Sequence, residues 1–116
     1  MIVDIFPKRT FAHHDLSVTN TAENGPRNGP AWLVGGDVYN PGASVAYLQV
    51  FAVAAADVTL GTTVAVYTLA IPATSAVPID PPRPVLCSTR LSYAITATRT
   101  GAGAPASACN LSLIYA

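Results

Sequence analysis

The chain reads as an all-β protein, an antiparallel β-sandwich or small jelly-roll-like barrel carrying an extended N-terminal arm. Three observations predict this. From residue 31 onward, apolar residues alternate or run in blocks of strand length, each closed by Gly, Pro, Asn or Asp. No segment sustains a helical period; the alanine-rich AVAAAD (52–57) is too short, and too close to β-branched neighbours, to hold a helix. Residues 1–30 differ in composition from the rest of the chain, holding both histidines, the only lysine and the turn-forming run TAENGPRNGP. Two regions are expected: an arm over 1–30 and a β-sandwich domain over 31–116.

Each element has its own justification. Within the arm, one short strand is expected over 15–19. AWLVGGDVYN (31–40) is the first strand of the body, with Gly35-Gly36 permitting a bulge or a close backbone approach. Asn40-Pro41-Gly42 is a turn, because proline presets φ and glycine tolerates positive φ. SVAYLQVFAV (44–53) is apolar on both faces and is expected at the centre of a sheet, covered on two sides. AAADVTLGTT forms a loop or short crossing, and TVAVYTLAI (63–71) the next strand, closed by Pro72. Residues 75–80 read as a short edge strand ending at Pro81-Pro82-Arg83-Pro84, where three prolines exclude a ladder position. LSYAITATRT (91–100) alternates cleanly, GAGAPASA turns, and residues 109–115 make the last strand.

At 116 residues this is one domain with a modest core. Six basic and six acidic side chains cancel, so nothing attracts nucleic acid or an anionic membrane over long range. Charged residues are 10% of the chain, against about 25% in ordinary globular proteins. So little charge gives weak colloidal protection, which suits a subunit buried among copies of itself or against a scaffold. Thr, Ser and Asn supplying the polar surface is the plainer alternative, and both can hold together. No apolar stretch reaches the roughly 18 residues of a membrane helix, and MIVDIFPKRT lacks the layout of a signal peptide. Cys87 and Cys109 could pair in an oxidising compartment; buried free thiols are the favoured reading.

Catalytic patterns are missing. His13 and His14, adjacent in an extended segment, face opposite ways, which is poor geometry for sharing a metal. No nucleophile elbow, zinc-protease motif, phosphate loop or calcium loop occurs. The expectation is therefore no enzyme, no cofactor and no metal. Trp32, Tyr39, Tyr47, Tyr67, Tyr93 and Tyr115 could form a carbohydrate platform, but core packing with the hydroxyl at a partner is the ordinary use of tyrosine in such strands.

The runs YNPGASVAYLQVF, LGTT, VAVYTLAIPA and RLSYAITATRTGAGAPA, with a final strand ending LIYA, resemble a family of small structural proteins of tailed bacteriophages. Asn40, Pro41, Tyr47, Phe51, Gly61, Thr62, Thr63, Pro72, Leu91, Tyr93, Ala94 and Thr96 carry the resemblance, which spans residues 33–116; Arg90 stands where the family commonly has glycine. The resemblance implies a virion component: a capsid decoration or cement protein that stabilises the head by bridging capsid subunits. A host-glycan-binding or tail or head–tail accessory subunit is the alternative. The implied partners are the major capsid protein or another virion protein, and further copies of the chain, with a trimer among the expected oligomers; no direct contact with nucleic acid or membrane is expected. The location would be the virion, assembled in the host cytoplasm. On physical grounds the arm supplies the interface: Ile5, Phe6, Phe11 and Leu16 as apolar anchors, with Lys8, Arg9 and Arg27 fixing register.

Overall fold

The computed structural model describes residues 9–116. Nine strands follow in order: β1 (Phe11–Val18), β2 (Glu23–Asn24), β3 (Ala31–Asn40), β4 (Ala46–Phe51), β5 (Tyr67–Ile71), β6 (Ser75–Ile79), β7 (Val85–Cys87), β8 (Ser92–Thr96) and β9 (Cys109–Tyr115). They form two antiparallel sheets. One has the order β1-β9-β3-β6, with β7 pairing another part of β3; the other has the order β2-β8-β4-β5. The sheets pack as a β-sandwich over Leu33, Val38, Leu48, Val50, Ile71, Tyr93, Ile95, Leu111 and Leu113. Burying each such side chain stabilises the fold by about 1.5–3 kcal/mol.

The strand β4 lies between β8 and β5 and is covered on both faces. Leu48 and Val50 enter the core, while Gln49 and Phe51, on the opposite face, are also buried under loops. In β3 a bulge between Leu33 and Gly35 shifts the register against β9. The shift changes which residues face inward: Ala31 and Leu33 are buried before it, Val38 and Asn40 after it. Trp32 and Tyr39, seven apart, consequently share the outer face. Gly36 has φ +130°, and a Cβ there would collide with the Ser112 carbonyl oxygen of β9.

Several boundaries depart from the sequence reading. The arm over 1–30 is not separate from the body in its described part, because β1 pairs with β9 along the edge of one sheet and β2 pairs with β8 at the edge of the other. Composition hid this: a polar strand at a sheet edge carries the Gly, Asn and charged residues that also mark an arm. Residues 63–66 are loop, whereas the single 3-10 turn Ala55–Asp57 falls within the expected loop or crossing. The strand expected over 91–100 stops at Thr96, where its hydroxyl donates to the Thr98 carbonyl at 2.7 Å and starts a turn. Val85–Cys87 is a strand that the preceding prolines concealed. In β6, Pro78 lies opposite Asp37 on an edge strand, where its missing N–H costs no ladder bond. Cys87 and Cys109 are buried and free; burial pushes the Cys87 thiol up to about 11.

One side chain joins the sheets at a corner. Asn40, 1% exposed, ends β3 in one sheet; its Nδ2 donates to the carbonyls of Ser44 (2.8 Å), Ile71 (3.1 Å) and Pro72 (3.3 Å). Its Oδ1 accepts from the Gly42 N–H at 2.9 Å, which holds the Asn-Pro-Gly turn closed. Ile71 ends β5 in the other sheet, so this amide crosses the sandwich. Asn40→Ala strands a buried carbonyl and should lower stability by about 3 kcal/mol. The measurement is urea unfolding, with a lower midpoint at unchanged slope; a loss below about 1 kcal/mol would contradict the assignment. Gly36→Ala should cost about 3 kcal/mol by the same measurement, combining backbone strain with the Ser112 collision.

Candidate interaction surface

Alternation along β1 sends Phe11, His13, Asp15 and, past a bulge between Asp15 and Val18, Val18 toward the opposite sheet. Ala12, His14 and Leu16 point outward and are exposed. The inward polar pair meets β2 and β8 across the sandwich. The Tyr93 hydroxyl donates to Asp15 Oδ2 at 2.8 Å and lies 3.1 Å from His13 Nε2. Asp15 Oδ1 accepts from the Ser17 N–H at 3.1 Å. Glu23, the register partner of Tyr93, sits beside the Asp15 carboxyl, and its buried Oε2 has no hydrogen-bond partner among the described residues.

The electrostatics follow from that contact. The hydrogen bond to Asp15, then burial, then repulsion from Asp15 raise Glu23 to about 7. Burial alone would raise Asp15, but hydrogen bonds from Glu23, Ser17 and Tyr93, with the charge of His13, hold it below the ordinary value. Burial, and then the bond to Asp15, push the Tyr93 phenol up. Two carboxyls thus lie together where the edges of the two sheets meet, one holding its proton more tightly than usual and the other less.

The residues expected to form the interface divide three ways. Ile5, Phe6 and Lys8 lie outside the described residues. Phe11 and Arg27 come together: Phe11 stacks on Tyr115 with ring centroids 5.5 Å apart, and the Arg27 guanidinium lies 5.7 and 5.6 Å from the two rings. Arg27 is therefore engaged within its own chain, in a cation–π stack that caps this end of the sandwich. Arg9 is exposed just ahead of β1, and Leu16, 76% exposed, sits toward the far end of that strand. Leu16 and Phe11 are on opposite faces.

Three residues that the sequence reading did not assign to the interface share the outer face of the five-stranded sheet with Leu16. Trp32 (42% exposed) and Leu86 (45%) are cross-strand partners on β3 and β7, and Tyr39 (38%) lies further along β3. The alternation of β3 could have indicated Trp32; nothing in VLC announced Leu86. Of the aromatics considered for a carbohydrate platform, Tyr93 is buried and Tyr67 and Tyr115 pack on the core, while Trp32 and Tyr39 are exposed. His13 and His14 face opposite sides, and among the described residues no three His, Cys, Asp or Glu side chains come together as metal ligands. No helix is long and apolar enough to cross a membrane among these residues. Neither a protein-family profile, nor a curated protein, nor a solved structure matches the chain.

The tighter hold of Glu23 on its proton makes stability depend on pH. The folded chain binds the Glu23 proton more tightly than the unfolded one, so its contribution is complete below about 4.5 and is lost as pH rises through about 7. Asp15 acts with the opposite sign, its contribution being lost as pH falls below its ordinary 3.8. The melting temperature should therefore decline from about pH 4.5 to just above 7, as followed by circular dichroism. Glu23→Gln, which keeps a neutral donor to Asp15, should flatten that decline. An unchanged slope in the variant would show that other groups titrate.

Proposed function

We propose that this chain is a bacteriophage virion structural protein, a capsid decoration or cement protein that binds through the outer face of its five-stranded sheet. The observation that carries the reading is the apolar set on that face, Leu16, Trp32, Tyr39 and Leu86, in a chain of net charge zero with only 10% charged residues. Trp32 with Leu86 stands at one end of that face and Leu16 with Tyr39 toward the other, so a partner laid along the sheet would cover both sets. The resemblance of residues 33–116 to phage structural proteins supplies the context, and a capsid subunit is the partner it favours.

The mechanism is burial of area across neighbouring subunits. A standard interface removes about 1,600 Å² from water, and repetition over a closed lattice raises the effective concentration of every contact. Trp32 is the natural anchor, since aromatic residues dominate the energetics of such surfaces. Leu86 adjoins Trp32 across the β3–β7 pair, while Leu16 and Tyr39 offer a second apolar contact toward the other end of the face. Self-association into a trimer or another closed ring would put several copies of the patch in one binding unit.

The test is add-back of purified protein to heads stripped of it, read by co-sedimentation. Leu16→Lys and Leu86→Lys should each weaken binding by about tenfold or more. Val64→Lys, in the loop over the other sheet, should leave binding unchanged. Equal binding by all three variants, or none by the parent protein, would sink the reading.

A further inference from the structure

We propose that a groove on the outer face of the four-stranded sheet binds a carboxylated sugar residue. The groove has a volume of about 270 Å³ and is lined by Gln49, Thr62, Val64, Thr68, Arg99 and Thr100, among others. That is slightly below the roughly 300 Å³ at which pockets for drug-sized ligands begin. It suits one sugar unit. The site lies on the sheet opposite the docking face and does not depend on the docking reading.

The floor of the groove is a built polar group. Gln49 is 2% exposed, and its Nε2 donates to Thr96 Oγ1 at 2.7 Å and to the Gly101 carbonyl at 3.2 Å. The orientation of this amide is fixed by chemistry. The Thr96 hydroxyl spends its hydrogen on the Thr98 carbonyl, so it can only accept from Gln49, and the Gly101 carbonyl can only accept as well. Both amide hydrogens are thereby committed. Among the described residues no donor reaches Gln49 Oε1, and Gln49 lines the groove, which leaves this oxygen as the acceptor it can offer there. A buried carbonyl oxygen of this kind selects a ligand hydroxyl.

Arg99 supplies the charge. One guanidinium nitrogen donates to Thr68 Oγ1 at 3.0 Å, and the group lies 5.3 Å from the Tyr47 ring centroid, which holds the fork in place. Among the described residues no carboxylate pairs with it, and no acid lines the groove. A planar fork with open donors matches a carboxylate. The hydroxyls of Thr62, Thr68 and Thr100 can exchange hydrogen bonds with ring hydroxyls, and Val64 offers an apolar surface to C–H groups. A carboxylate and several hydroxyls on one small ring satisfy all of these groups together.

The experiment is titration of the full chain with D-glucuronate, D-glucose and acetate, followed in ¹H–¹⁵N spectra. Glucuronate should give saturable shifts grouped at the amides of Thr62, Thr68, Thr100 and Gly101. Glucose and acetate should each bind about tenfold more weakly, since each lacks one half of the recognition. Arg99→Gln should weaken glucuronate binding by about tenfold as well, while leaving the remaining spectrum in place. If that variant fails to fold, the three ligands on the unaltered chain decide. Glucose binding as well as glucuronate would remove the carboxylate from the proposal, and acetate binding as well would reduce the groove to a site for simple anions. Either result overturns it, as does the absence of saturable, localised shifts.

Discussion

The side-chain amide of Asn40 holds the corner at which the two sheets are joined. It belongs to β3, yet its hydrogens serve carbonyls at the end of β5 and ahead of β4, and its oxygen closes the turn between the sheets. Its position follows from the β3 bulge, which puts Asn40 on the inward phase of the strand instead of the outward one. Without that shift the amide would face solvent and Tyr39 would face the core. The bulge in turn depends on glycine at positions 35 and 36, and at 36 the β9 backbone comes too close for any side chain. The corner, the phase of β3 and the composition of the outer face form one chain of dependence.

The polar contacts between the strand edges have a different character. An inward-pointing acid on an edge strand is unfavourable for a core, and Asp15 is retained with hydrogen bonds from the Ser17 N–H and the Tyr93 hydroxyl. A charge pointing inward and a bulge next to it are features that discourage unplanned pairing along an exposed edge. In a chain with so few charges elsewhere, this guard on β1 is local to the strand edge and leaves Trp32, Tyr39 and Leu86 exposed on the sheet's outer face.

Much of the architecture was legible in the sequence, since turns and two-sided apolar strands are local properties. Asn40-Pro41-Gly42, the central position of β4 and the prolines at 81–84 were all readable from residue type and spacing. What escaped was set by distant partners. The strand β1 exists because β9 lies beside it, and β2 is two residues long, below any periodic signal. Arg27 looked like a free cation because the sequence cannot say that Phe11 and Tyr115 stack beneath it. Likewise, Arg90 precedes β8 with nothing in the local sequence to show its partners. Here its guanidinium donates to Asn28 Oδ1 and the Gly25 carbonyl, 62 and 65 residues away, and secures the loop that leads into β3. Gln49 read as one polar residue in an apolar strand; its role depends on the Thr98–Gly103 turn folding over it.

The placement of β9 bears on how the molecule is assembled in time. It is the last strand in order, yet it sits in the middle of its sheet, between β3 and β1. Until residues 109–115 are available, β1 has no neighbour and β3 lacks one of its ladders. Pairing residue 11 with residue 115 also closes a very long loop, which slows the search for the native topology. During that interval the β3 edge that will receive β9 is exposed and apolar, a condition that favours association between unfinished chains. High local concentration during synthesis would therefore select between correct closure and intermolecular pairing, and the outcome turns on how fast the final strand inserts.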